Sequence, residues 1–178
     1  TVNGWPAMQF DGVDDVLEYG SDLIGTGDIC LVAVIRPTGY GGASSARLIT
    51  NGMFTVLRSS NERLTVTNDG ATTTIHTANN AYPLNAKLVV IINRSSIGNV
   101  SIYINGALVG SGHGGNNAKG TGVWIGNNSV GDRAYQGLIS YISIHKRILS
   151  VPEIQALTRY LSQNRAPETW SFSVSAAS

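Results

Sequence analysis

Along the chain runs a string of short strand candidates, some alternating apolar and polar positions with a period of two, separated by clusters of Gly, Asn, Asp and Ser. Leu64-Thr65-Val66-Thr67 and Ile139-Ser140-Tyr141-Ile142-Ser143-Ile144 are such stretches, each predicting a strand with one buried and one wetter face. The same reading predicts strands at Ala7–Phe10, Val16–Tyr19, Ile29–Arg36, Arg47–Thr50, Phe54–Arg58 and Arg63–Thr67. It continues with Thr72–His76, Leu88–Asn93, Val100–Ile104, Ala107–Gly110, Val123–Gly126 and Leu138–His145. Ile29–Ile35 and Leu88–Ile92 are apolar throughout, which predicts central strands covered on both faces.

The punctuation is informative too. Asn105-Gly106 sits between two apolar runs, and a type I′ turn there needs positive φ at both central residues, which Asn and Gly supply. Asn51-Gly52 and Asp69-Gly70 are weaker turn signals of the same kind, and Gly110–Gly122 reads as the longest loop. The period changes once. Ser150-Val151-Pro152-Glu153 has the form of a capping box, and Ile154, Leu157 and Leu161 follow on one helical face, predicting a helix over Val151–Gln163. Beyond Ala166-Pro167, Trp170, Phe172 and Val174 alternate with small polar residues, which predicts an extra strand or an assembly contact. Many short strands and one late helix predict an all-β fold, a two-sheet antiparallel β-sandwich with one short C-terminal helix. The division is residues 1–164 as one domain and 165–178 as a tail.

Composition narrows the partners. Only 13% of the 178 residues are charged, and 12 basic side chains meet 11 acidic ones, so no basic footprint for nucleic acid appears in the totals. The weight lies instead in 21 Gly and abundant Ser, Thr and Asn. The longest apolar run is far short of the ~20 residues a membrane helix needs, so no membrane insertion is expected, and no signal peptide is read at Thr1. Cys30 is the single cysteine, which excludes an intrachain disulfide and predicts a small buried hydrophobe inside its apolar run.

For chemistry, the chain has no Gly-x-Ser-x-Gly elbow, no phosphate loop and no metal-ligand spacing among His76, His113 and His145. The strands carry almost no acids, so the paired carboxylates of a sandwich glycosidase are missing, and the chain is expected not to be an enzyme. Asp11, Asp14 and Asp15 cluster after the first strand. Calcium is the one cofactor they suggest, against the plainer reading of a turn whose Asp side chains bond local backbone N–H groups; none is the expectation. Sugar recognition needs flat aromatic faces beside amides, carboxylates or Arg. Trp124, alternating with Val123 and Ile125, is followed by a polar loop that carries Asn127, Asn128, Asp132 and Arg133, and Tyr40 is a further aromatic candidate.

These segments resemble the concanavalin A-like lectin/glucanase superfamily, and within it the laminin-G-like jelly-roll domains. Phe10-Asp11-Gly12-Val13-Asp14-Asp15 is similar to the family's opening motif, and Ile29–Pro37 to its first long strand, which ends in a basic residue and Pro. Val100–Gly110 resembles the family's Tyr-x-Asn-Gly hairpin, Val123-Trp124-Ile125-Gly126 a later strand end, and Tyr135 through Ile154 the closing strand and helix. Ser140-Tyr141 stands where many relatives carry an Asp-Glu pair, and Ala86-Lys87 where many carry Trp-His. The resemblance implies a jelly-roll and binding rather than catalysis. The expectation is a lectin-like module for a glycan or cell-surface ligand, with protein neighbours in an extracellular or virion-surface assembly. A structural role in a phage or virus particle without sugar binding is the alternative, and a glycoside hydrolase or lyase is a more distant one.

Overall fold

Alternation leaves open which strands pair, and the pairing comes from the computed structural model, which describes residues 1–2, 4–42, 45–68, 73–115 and 119–163. Among the described residues twelve strands, numbered in chain order, form two six-stranded antiparallel sheets. Across the first sheet run β1 (Met8–Asp11), β12 (Gln136–His145), β3 (Ile29–Pro37), β8 (Leu88–Arg94), β9 (Asn99–Ile104) and β10 (Ala107–His113). Across the second run β2 (Leu17–Tyr19), β11 (Val123–Ile125), β4 (Arg47–Thr50), β5 (Thr55–Ser59), β6 (Arg63–Asn68) and β7 (Thr73–His76). This is the predicted jelly-roll sandwich.

The two continuously apolar runs are central for a visible reason. Ile29, Leu31, Ala33 and Ile35 of β3, with Leu88, Val90 and Ile92 of β8, face the second sheet, where Ile49, Val56, Leu64 and Val66 meet them. The alternate residues Cys30, Val32, Val34, Val89 and Ile91 face outward under Ile154 and Leu161 of α1 (Val151–Ser162). A helix of 12 residues is marginal alone. Two fully buried aliphatic side chains contribute roughly 1.5–3 kcal/mol each, which is enough to hold it on the sheet. The capping box at Ser150 and Glu153 forms as predicted. The strand predicted through Trp170, Phe172 and Val174 lies outside the described residues.

Asn105 and Gly106 adopt φ 51° and 83°, as the β9–β10 turn requires. One expectation is corrected beyond it: the Gly-rich stretch does not leave the sheet at Gly110, because β10 pairs with β9 as far as His113. A Cβ at Gly110 would lie 2.9 Å from the His76 carbonyl oxygen, and one at Gly112 3.0 Å from Ile75, so the missing side chains let β10 approach β7 of the other sheet. Those glycines close the side of the sandwich. They do not loosen a loop. A second irregularity sits in β4, where the register slips between Arg47 and Ile49. Both Leu48 and Ile49 are thereby buried in the core.

Candidate functional site

In antiparallel sheets, residues directly opposite one another project to the same face. Following the register across the second sheet, Glu18 is opposite Trp124, Trp124 opposite Thr50, Thr50 opposite Thr55, Thr55 opposite Thr67 and Thr67 opposite Thr74. One row therefore crosses all six strands on the face away from the core, because the neighbours Val123, Ile49, Val56, Val66 and Ile75 point inward. Two residues further along, Arg47, Leu57, Thr65 and His76 form a second row, and Ser59 with Arg63 a third. The bulge in β4 matters here. Strict alternation from Thr50 would turn Arg47 toward the core, and the extra residue returns it to the outer face.

The face is held together by hydroxyls. Arg47 Nη1 donates to Thr55 Oγ1 (2.9 Å), which is hydrogen-bonded to Thr50 Oγ1 (2.6 Å). Thr65 Oγ1 lies 2.9 Å from both Ser59 Oγ and His76 Nδ1. The central threonines are buried, Trp124, Arg47 and Arg63 are half-buried, and Glu18, Thr74 and His76 are exposed. The Arg47 pKa is lowered by burial and then by the charge of Arg133, with Asp132 opposing. The His76 pKa is lowered by burial and by Arg63, so His76 is neutral near pH 7.

The six residues singled out in the sequence divide. Trp124 stands in the first row, half-buried and turned outward. Asp132 and Arg133 lie in the β11–β12 loop beside Arg47, whose N–H donates to the Arg133 carbonyl (2.8 Å). Arg133 donates from Nη1 to Ser45 Oγ (2.8 Å), and its Nε lies 3.6 Å from Asp132 Oδ1. Asn128 shapes that loop: its Oδ1 accepts from Gly131 and Asp132, and its Nδ2 donates to Asp132 Oδ1 (2.8 Å). Asn127 is fully buried, with Oδ1 accepting the N–H groups of Asn128 and Arg133, so it builds the loop and meets no ligand. Tyr40 is exposed but is not on this face. Its ring stacks 4.0 Å from the guanidinium carbon of Arg58, and Arg58 alternates inward with Val56. Sequence reasoning missed Arg47, Arg63 and the threonine row, which become neighbours only through strand pairing.

Two other features bear on chemistry. The carboxylates of Asp11, Asp14 and Asp15 can come within 4.8 Å of one another. Asp11 Oδ1 accepts the Val13 N–H (2.7 Å) and Asp15 Oδ2 the Asp11 N–H (2.8 Å), the bonds a tight turn uses. A cavity of about 530 Å³ opens between the sheet edges, lined by Met8, Phe10, Leu17, Ile125 and Ile142 among others. Its lining is almost wholly apolar and includes none of the six residues. Among the described residues no helix is long and apolar enough to cross a membrane.

Residues 11–155 match the Laminin_G_3 family profile, of the concanavalin A-like lectin/glucanases superfamily. Solved structures share the fold. A native heptameric SAP-like pentraxin from Limulus polyphemus superposes with TM-score 0.69 at 12% identity, over 94% of this chain and 88% of that one. A Trypanosoma rangeli sialidase gives 0.67 at 17% identity, over 85% and 27%. A carbohydrate-binding candidate from Bacteroides ovatus gives 0.62 at 13% identity, over 83% and 47%. The chain thus spans most of the pentraxin but under half of the other two. No curated protein sequence matches it.

These findings correct one expectation. The chain was expected not to be an enzyme because its strands lack paired acids. The superfamily includes glucanases, and part of a sialidase chain has this fold, so the exclusion of catalysis does not stand. The physical reason is that a jelly-roll can present acids from loops as well as strands, so the acids along its strands do not decide whether it is catalytic.

Proposed function

We propose, from the premise that the chain belongs to the concanavalin A-like lectin/glucanase superfamily, that it binds glycans on the outer face of its second sheet. The observation that carries the reading is the cross-strand row in which half-buried Trp124 stands between Glu18 and Thr50. An indole fixed at the edge of a polar sheet face offers a flat apolar surface for the C–H side of a sugar ring. Arg47 on the adjacent strand, with Asp132 and Arg133 beside it, supplies donors and acceptors for the hydroxyls. The Bacteroides ovatus candidate, named for carbohydrate binding, supports this choice of ligand class. On this reading the chain works where glycans are displayed, outside a cell or on a virion surface, as part of a larger assembly. On the same reading no metal takes part, and EDTA should leave binding unchanged.

The test is a glycan array with the wild type, Trp124→Ala and Asp132→Ala, each confirmed folded by circular dichroism. Binding should fall at least tenfold in Trp124→Ala. Unchanged binding in that variant overturns the assignment of the face. No glycan bound, together with oligomers that form with rising concentration, would replace it with the assembly role.

A further inference from the structure

We infer that the glycan bound on this face is acidic, carrying carboxylate or sulfate groups that Arg47 and Arg63 receive. The inference rests on the proposed glycan site and specifies the ligand class it takes.

The observation behind it is an imbalance of pairing. With 12 basic and 11 acidic side chains, the chain has acids enough to neutralise nearly every cation. Among the described residues the ion pairs are Arg58 with Glu62, Arg133 with Asp132 and Arg147 with Glu153. Arg47 and Arg63 have none. Both are half-buried, and the Nε of each is enclosed without a hydrogen-bond partner. Arg47 has one side-chain hydrogen bond, to a neutral hydroxyl, Thr55 Oγ1.

Placement makes the imbalance meaningful. Both arginines project from the outer face, Arg47 from β4 and Arg63 from β6, separated by Leu57 and Ser59 of β5. Two strand spacings and a two-residue offset put their backbones roughly 12 Å apart. Nothing acidic stands between them: the intervening outward positions are Leu57, Ser59 and Thr65. The acids of this face lie at its margins, Asp132 engaged with Arg133 and Glu18 beyond Trp124. Arg133 acts on Arg47 as a like charge, with Asp132 opposing it, and Arg63 acts on His76 as a like charge.

A guanidinium withdrawn from water without an acceptor is costly, and a carboxylate or sulfate removes that cost with charge-assisted, planar hydrogen bonds. Two such groups a dozen ångströms apart suit an oligosaccharide with acidic groups on more than one unit.

The experiment is calorimetry with an oligogalacturonate, a sulfated oligosaccharide and the carboxyl-reduced, neutral form of the first, each at low and high salt. The acidic probes should bind at least tenfold more tightly than the neutral one, and more weakly at high salt. Arg47→Gln and Arg63→Gln should each lose most of that preference, and Arg36→Gln, on the other sheet, should keep it. Should Arg47→Gln misfold, Arg63→Gln carries the test alone. Equal affinity for the neutral probe, with Trp124→Ala abolishing binding, overturns the acidic ligand and leaves the glycan face standing. Acidic binding indifferent to both arginines overturns it as well. If no saccharide binds, or only a DNA oligonucleotide does, both readings fall.

Discussion

Asn127→Ala should destabilise the fold by about 2 kcal/mol, although the residue touches no ligand. Its Oδ1 accepts two backbone N–H groups at 2.9 Å, those of Asn128 and Arg133, and the side chain is wholly buried. Alanine leaves both donors without an acceptor. A buried donor left unsatisfied costs about 1–3 kcal/mol, and the lower half of that range applies here because Asn128 and Arg133 are both half-buried. Against this, the wild-type Nδ2 is itself buried without a partner, and its removal returns part of the loss. The net of about 2 kcal/mol corresponds to a fall in Tm of roughly 4–8 °C for a chain of this size. Urea titration and thermal melting should both report it, with m unchanged. Hydrogen exchange should quicken at the Arg133 amide ahead of amides in β3. A loss below about 0.5 kcal/mol would refute the reasoning, since water would then be replacing the side chain and the loop would not depend on it.

Two glycines with nearly the same φ should respond very differently to alanine. At Gly126 (φ 82°) a Cβ would lie 2.1 Å from the Phe10 ring, whereas at Gly131 (φ 83°) nothing lies within 4 Å. Gly131→Ala should cost about 1 kcal/mol from backbone strain alone, and Gly126→Ala several times more or fail to fold; equal midpoints in urea would contradict this. The Glu153 carboxyl is held down to about 2 by the Ser150 N–H and hydroxyl and by Arg147. Its folded pKa lies below the unfolded value of ~4.3, so its stabilisation is full above that value and is lost as pH falls toward 2. Melts at pH 6 and pH 3 should therefore diverge less in Glu153→Gln than in the wild type, and an identical divergence counts against the cap. Burial pushes the Cys30 thiol up to about 12. A thiol reagent at pH 8 should label it only in denaturant, and rapid labelling of the native protein would contradict the burial.

Strand after strand was legible in the sequence because the face each buries imposes a two-residue period, and the Asn105-Gly106 turn and the cap at Ser150 are local chemistry. Register is not local. Nothing in the sequence places Trp124 beside Thr50, and a single extra residue in β4 decides whether Arg47 faces solvent or core. The polar loop after Trp124 was identified, yet the roles inside it were not. Asn127 and Asp132 look equally suited to a sugar, and only the hydrogen bonds show that one is buried structure and the other surface. Tyr40 misled for a similar reason, since the sequence gives no sign that Arg58 would occupy its ring. Catalysis was excluded on strand acids alone, which overlooked what loops can bring together.

The pairing of β1 and β3 with β12 has a consequence for how the chain reaches its fold. Met8 meets Ile139 and Cys30 meets His145, so the first sheet cannot close until nearly the whole chain is available. Loop-closure entropy must be met before those contacts return any energy, and folding on a timescale of milliseconds to seconds follows for such a topology. During synthesis the apolar strand Ile29–Ile35 can pair with β8 on one edge, but its other edge waits unpaired until β12 is made. A ribosome-bound chain ending near residue 130 should therefore remain sensitive to protease, and protection should arrive abruptly once β12 has cleared the exit tunnel.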